Sequence, residues 1–343
     1  MASSSLPVRA VGEELFRMLR EHQVILLFGE TGSGKTTQVP QMILERGLLR
    51  EGMMAVTQPR RVAATSVAKR VAEERGSRIG GEVGYTVRFD DSTSAATRVK
   101  FMTDGVLVRE ALSDPELRKY AVVMLDEAHE RSISTDLLFG LLRGVLARRR
   151  DLRLIVSSAT LNTAMIAGFF VGAPTLRVPG RAYDVAIYHA RNKARTRRAA
   201  LESAAEIALR VHRDEEEGHI LLFMTGQREI EEACASIARK LVEERARERR
   251  MDAMVHAPLL ILPLFGALQA AKQSAVFERV APGTRKLIVC TNIAETSVTV
   301  QGVRYVIDPG ECIILFIYFR AFLSFSHLTL RSSPPRVAIF MVT

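Results

Sequence analysis

Residues 24–36 read VILLF followed by GETGSGKT: an apolar run from Val24 to Phe28, then Gly29-Glu30-Thr31-Gly32-Ser33-Gly34-Lys35-Thr36. The second part fits G-x-x-x-x-G-K-[ST], and the first is the buried strand that such a loop must follow. Its glycines let the backbone wrap tightly enough for several N–H groups to point at one phosphate, and a helix opening at Lys35 adds positive potential there. The Lys35 ammonium is then placed to reach the β- and γ-phosphates of a nucleotide, and the Thr36 hydroxyl to ligate Mg²⁺.

The same rhythm repeats outward from this stretch. Met53–Val56, Val122–Leu125 and Leu152–Val156 are short apolar runs, separated by helical patterns such as Arg61–Arg75 and Thr135–Arg149. Strands alternating with helices imply βαβ units and a parallel sheet. Val122–Leu125 runs into Asp126-Glu127-Ala128-His129, and carboxylates at the carboxyl end of a parallel strand lie where such sheets bind ligands. Asp126 is expected to hold Mg²⁺, and Glu127 to touch the same ion while orienting and deprotonating an attacking water. A further strand ends in Ser157-Ser158-Ala159-Thr160, small hydroxyl residues suited to sensing a terminal phosphate.

After Pro179-Gly180 the pattern breaks at the basic stretch RNKARTRR, Arg191–Arg198, and then restarts. His219–Met224, Leu259–Phe265, Lys286–Thr291 and Val303–Ile307 read as strands, and Arg228–Arg250 as a long helix. We therefore divide the 343 residues into an α/β domain at 1–180, a basic linker at 181–200, a second α/β domain at 201–310 and an atypical hydrophobic tail at 311–343. The tail shows neither helical nor strand periodicity. Arg320 and His327 interrupt its apolar stretch Cys312–Leu330, which argues against a membrane span. No secretory signal is read in Met1–Pro7, and three scattered cysteines read as reduced thiols of an intracellular protein. The net charge of +10 fits a polyanionic partner or a merely solubilising surface.

Taken together, GETGSGKTTQVPQ, TQPRRVAA, GYTVRFD, FMTDGVLVRE, DEAHERS and SSAT resemble the first motor domain of DEAH-box RNA helicases, and LLFMTGQREIE, LPLFGALQ, CTNIAETSVT and VRYVIDPG the second. The resemblance spans roughly Leu6 to Gly310. It implies two tandem RecA-like P-loop domains, with ATP and Mg²⁺ between them and single-stranded RNA across the top. It also implies 3′-to-5′ translocation, weak choice among nucleoside triphosphates, an activating protein partner and a nuclear or nucleolar location. Lys35, Glu127, His129, Ser158 and Thr160 match the catalytic machinery. Gly29 to Thr36, with Thr37, match the nucleotide cradle; Arg70 and Phe277 match a pair that sandwiches the base, and Ser297 and Asp308 face the nucleotide. Read from its local pattern alone, Phe277 fits core packing better. Pro59, Arg60, Arg61, Thr103, Asp104 and Gly105 match RNA-backbone contacts of the first domain, and Thr225, Gly226, Gln227, Thr291 and Asn292 those of the second.

Two departures stand out. Arg228 follows Thr225–Gln227 where the family carries acids. Beyond Gly310 nothing matches the family's Q-x-x-G-R-x-G-R, whose arginines reach the γ-phosphate. The second domain is thus expected to be incomplete, with an exposed sheet edge, and a nucleotide- and RNA-binding fragment without turnover is the alternative to a working helicase.

Overall fold

The computed structural model describes residues 6–49, 52–159, 163–180, 185–189, 196–250, 257–291, 300–309 and 338–342. They fall into two compact units, one within Met1–Ala182, the other drawn from Tyr183–Glu295 and Val300–Thr343.

In the first unit the chain runs through α1 (Pro7–Ala10), α2 (Gly12–Glu21), β1 (Val24–Phe28), α3 (Lys35–Glu45), β2 (Met53–Gln58), α4 (Arg61–Glu74), β3 (Val83–Val87), β4 (Asp90–Ser92) and β5 (Val99–Thr103). It continues with α5 (Asp104–Ser113), β6 (Tyr120–Leu125), a 3₁₀ turn at Ala128–Glu130, α6 (Ile133–Arg148), β7 (Arg153–Ser158), α7 (Thr163–Phe169) and β8 (Thr175–Arg177). The sheet order is β4-β3-β5-β2-β6-β7-β1-β8, parallel throughout except for β4. Alternate residues of a strand point to opposite faces. Ile25 and Leu27 accordingly enter the core on one side of the sheet, with Phe16, Val39 and Ile43, while Leu26 and Phe28 enter the other, with Leu107, Leu138 and Phe139. Burial on both faces is why the central strands read as unbroken apolar runs. Because β7 lies between β6 and β1, its end at Ser158 stands between the end of β1 and the end of β6.

A charge holds part of this core together. Lys100 on β5 is buried, and its ammonium meets Glu110 on α5 at 2.7 Å. The Glu110 carboxylate also accepts the Tyr120 hydroxyl and lies 3.0 Å from Lys119. Burial alone would push the Glu110 carboxyl up, but the hydrogen bonds from Lys100 and Tyr120 outweigh it and hold the group below its ordinary 4.5. A carboxylate depressed in the folded state stabilises above its unfolded pKa, and that contribution is lost as pH falls through the folded value. Glu110→Gln should therefore cost about 1–3 kcal/mol near neutral pH. The deficit should shrink below about pH 4.5, as followed by urea unfolding across the acid range.

The second unit comprises β9 (Val185–His189), α8 (Arg197–Asp214), β10 (His219–Phe223), α9 (Gln227–Arg250), β11 (Leu259–Leu264), α10 (Ala270–Ser274), β12 (Arg285–Cys290), β13 (Val303–Asp308) and β14 (Ala338–Val342). Its order is β11-β12-β10-β13-β14-β9, parallel from β11 to β13 and antiparallel on either side of β14. Two of the chain's cations are structural here. Arg285 donates to the carbonyls of Val211, Glu215 and Glu216 at the end of α8, and Lys286 to those of Val276 and Glu278.

The tail supplies one strand of this sheet, β14. This strand from the tail pairs with β13, Ile339 opposite Ile307, and with β9, Met341 opposite Ala186. Among the described residues the sheet remains open, with β11 and β9 as its edge strands. The stretch Cys312–Leu330 lies outside the described residues, and so do most of the basic stretch and the site candidates Thr160, Asn292 and Ser297. Among the described residues no helix is long and apolar enough to cross a membrane.

Candidate functional site

The loop Gly29–Gly34 leaves the carboxyl end of β1 and turns into α3. Gly32 and Gly34 have φ of +83° and +90°, a region that suits glycine, and Gly34 directly precedes the first turn of the helix. Gly29 is constrained differently: a Cβ there would sit 2.8 Å from Val178. Lys35 is buried, and its ammonium donates to the carbonyls of Gly29 and Glu30 (2.9 Å to the latter) and to the Ser33 hydroxyl at 3.3 Å. Burial lowers its pKa, against the opposing pull of Asp126, Glu127 and Glu30. A cation folded into a concave backbone loop is a receptor for an anion. Thr37, on the next helical position, directs its hydroxyl at the Gly34 carbonyl, 3.5 Å away.

The carboxylates come to the same place. The Thr36 hydroxyl donates to Asp126 Oδ2, and Gln58 at the end of β2 donates to that same oxygen at 2.7 Å. Asp126 Oδ1 and Glu127 Oε2 are buried without a hydrogen-bond partner. Glu127 adopts φ +52° and begins the 3₁₀ turn. Burial, and then the charge of Asp126, push its carboxyl up to about 8. His129 closes the turn. Its Nδ1 accepts the Ala159 N–H at 3.3 Å, so in the neutral ring the proton is on Nε2, which lies 3.5 Å from Glu127 Oε2. Burial lowers the His129 pKa, which favours the neutral form. The Gly29 N–H donates to the Ser158 carbonyl at 3.2 Å, so phosphate loop, acidic strand and β7 form one hydrogen-bonded unit.

Two further segments are tied to the turn after Glu127. Arg60, at the start of α4, pairs with Glu130 at 3.4 Å. Asp104, opening α5, accepts from Ser132 (3.1 Å) and Thr135 (2.6 Å). Ser132 in turn caps α6 by accepting from the Thr135 N–H. Arg131, between the two ties, has φ +49°. Pro59 and Gly105 are half-buried beside these links, Arg61 is exposed at the first turn of α4, and Thr103 stands at the N-cap position of α5 without a side-chain capping bond. Arg70 on α4 bonds Glu74 at 2.7 Å, and Glu74 also accepts from Gln38 and Gln41 of α3.

In the second unit Thr225 and Gly226 follow β10. Both the N–H and the hydroxyl of Thr225 donate to Glu229, which also pairs with Arg197. Gln227 begins α9, and Arg228 is exposed and pairs with Glu232 at 2.9 Å. Thr291 follows β12 and donates its N–H to Leu264. Asp308 ends β13. Phe277 lies in the loop entering β12, at the other end of that strand from Thr291, and lines a cleft of about 570 Å³ with Arg279, Gly283 and Gly302.

Residues 9–167 match the sequence model of the DEAD/DEAH box helicases, and residues 199–312 that of the helicase conserved C-terminal domain. The chain belongs to the DEAD/DEAH-box helicases. Its DEAH variant at Asp126–His129 agrees with the likeness to the crystal structure of the Escherichia coli DEAH/RHA helicase HrpB: 34% identity, a TM-score of 0.75 and 90% of this chain matched. The match spans 37% of the HrpB chain.

Within this helicase fold the described residues fit a nucleotide-bound divalent cation. No group of three or more His, Cys, Asp or Glu side chains is present among them to hold a metal unaided. Mg²⁺ characteristically takes one or two carboxylates together with substrate phosphates. Thr36, the orphaned Asp126 Oδ1 and Glu127 Oε2 supply that partial set. Sequence reasoning missed Gln58, Glu130, Ser132 and Thr135. Gln58, Glu130 and Ser132 lie inside the quoted motifs TQPRRVAA and DEAHERS, but their contacts with Asp126, Arg60 and Asp104, like that of Thr135, arise from the sheet order and the α5–α6 packing, which no local pattern reveals.

Proposed function

We propose that the chain binds a nucleoside triphosphate with Mg²⁺ on the Gly29–Thr37 loop, hydrolyses it, and couples hydrolysis to movement along single-stranded RNA. The observation that carries the coupling is a pair of ties, one to the 3₁₀ turn at Glu130 and one to the start of α6 that follows it. Arg60–Glu130 binds the turn after Glu127, and Asp104–Ser132–Thr135 binds the start of α6 two residues further on, to the two segments that resemble RNA-backbone contacts. An RNA phosphate drawing on Arg60, or on the N–H groups at Thr103–Gly105, would shift the turn and with it the Glu127 carboxylate.

In this reading Lys35 and the loop N–H groups neutralise phosphate charge. Asp126 and Thr36 hold Mg²⁺, whose chemistry is to offset charge on the transferred phosphoryl group. Glu127 takes the proton of the attacking water, and a base with a pKa near working pH is suited to that step. His129 positions Glu127 and reports its state to Ala159 through Nδ1. Choice of RNA over DNA and a nuclear site of action are parts of the proposal supported by the resemblance and the net charge of +10.

The test is turnover of ATP by the purified chain with and without single-stranded RNA. RNA-stimulated hydrolysis is expected, and nucleotide binding with no turnover in either condition would replace the motor by a binding module. Thr135→Val tests the tether. It keeps the shape but removes the 2.6 Å bond to Asp104, at a cost of about 1–2 kcal/mol in stability. The RNA-stimulated increment should drop several-fold, and an unchanged ratio of the two rates would dismiss the coupling.

A further inference from the structure

The phosphate loop is held differently at its two ends. The sheet fixes its entry: the Val178 N–H donates to the Phe28 carbonyl at 2.6 Å, and the Val178 side chain leaves no room for a Cβ on Gly29. At the tip Gly32 stands open, with no described atom within 4 Å of where its Cβ would lie. The exit, Ser33–Gly34, is met by a segment outside the sheet, Leu6–Arg9.

That segment carries the single turn α1, with Pro7 at its first position. Four residues are far too few for a helix to persist alone, so α1 keeps its shape through what it docks on. The N–H groups of a first helical turn have no partner within the helix. That of Val8 donates to the Ser33 carbonyl at 3.1 Å, while the Val8 side chain is fully buried in the core that holds Val39 and Ile43. Leu6 packs on Gly34: a Cβ there would sit 3.1 Å from Leu6 Cβ and 3.2 Å from its Cδ1. Arg9 Nε donates to Gln38 Oε1 at 2.8 Å, and the guanidinium pairs with Glu45 at the end of α3 at 3.3 Å.

The consequence is geometric. A trans peptide is planar, and its carbonyl and N–H point opposite ways. Fixing the Ser33 carbonyl therefore aims the Gly34 N–H. Gln38, anchored by Arg9, donates its own backbone N–H to the Gly34 carbonyl at 2.8 Å, which aims the N–H of Lys35. Gly34 lies between these two peptide planes at φ +90°, where glycine is at its most permissive, so the planes need holding from outside.

We propose that Leu6, Val8 and Arg9 are positioning residues for nucleotide binding, which hold the exit of the phosphate loop in its anion-accepting form before the nucleotide arrives. The proposal rests on the reading of Gly29–Thr37 as the nucleotide loop. A loop ordered in advance spares its ligand the cost of ordering it. By linkage, filling the loop must tighten the turn as much as the turn favours the ligand.

The whole chain serves for the test. A fluorescent ADP with Mg²⁺ reads affinity, thermal melts read stability, and amide hydrogen exchange is followed with Mg²⁺-pyrophosphate, which has no base or sugar to touch the turn. Leu6→Ala/Arg9→Met should bind the fluorescent ADP about tenfold more weakly. Arg9→Lys, which can still donate to Gln38 and face Glu45, should stay close to wild type. Pyrophosphate should slow exchange at Val8–Val11 in the wild type and not in the double variant. Should the double variant fail to fold, Arg9→Met alone carries the same comparison with Arg9→Lys. Wild-type affinity in the variant would overturn the proposal while leaving the nucleotide loop in place, and a lowered Tm beside it would make the turn structural only. Pyrophosphate binding that leaves exchange at Val8–Val11 unchanged would overturn it as well. If the wild type binds neither probe, the proposal falls together with the reading beneath it.

Discussion

Replacing Glu127 by glutamine is expected to lower nucleotide turnover by about 10²–10⁴-fold, the usual worth of a positioned general base, while nucleotide binding and Tm persist. The carboxylate's Oε2 has no hydrogen-bond donor to lose, and burial and the charge of Asp126 already disfavour its ionised form. A neutral side chain of the same size removes that repulsion, so Glu127→Gln should melt no lower than the wild type. Loss of turnover with retained stability identifies a residue kept for chemistry, and strain at φ +52° is what such a position tolerates. Single-turnover hydrolysis and a thermal melt decide it. Turnover within threefold of wild type would move the base elsewhere.

Lys35→Met is expected to weaken nucleotide binding by about 100-fold or more, because charge-assisted hydrogen bonds contribute roughly 1.5–3 kcal/mol each and the ammonium can make two to phosphate. The substitution conserves length and apolar stem, so packing changes little. The carbonyls of Gly29 and Glu30 and the Ser33 hydroxyl lose their donor, which should cost a further ~1–3 kcal/mol of stability without ligand. Titration with a fluorescent nucleotide separates these effects. Affinity within a few-fold of wild type would mean that the loop is not the phosphate site.

How far the sequence carried these conclusions depended on burial. Strands buried on both faces, β1 and β6 above all, read directly as apolar runs, and the loops after them held their chemistry in plain view. β5 was missed because Lys100 interrupts its apolar text, a charge made tolerable only by Glu110 across from it. β3 was missed because Gly84 and Thr86 dilute it; a Cβ at Gly84 would sit 2.5 Å from the Ser92 carbonyl, so close pairing rather than hydrophobicity chose that residue. The tethers Arg60–Glu130 and Asp104–Thr135 join residues far apart in the chain, and no periodicity reveals such pairs. The tail strand β14 was misread because its five residues follow a long aromatic segment without alternation.

The position of β14 also sets a clock. The first sheet is assembled wholly from strands within residues 24–177, so it can form as those residues leave the ribosome. In the second sheet β9 is made early, yet among the described residues its one neighbour is β14, where His189 meets Ala338. Until synthesis reaches that point, β9 and the outer side of β13 wait without partners. Such distant pairing is slow and leaves strands open to the wrong neighbour. A chaperone that masks extended apolar segments has its longest opportunity there, during the interval between the making of β9 and of β14.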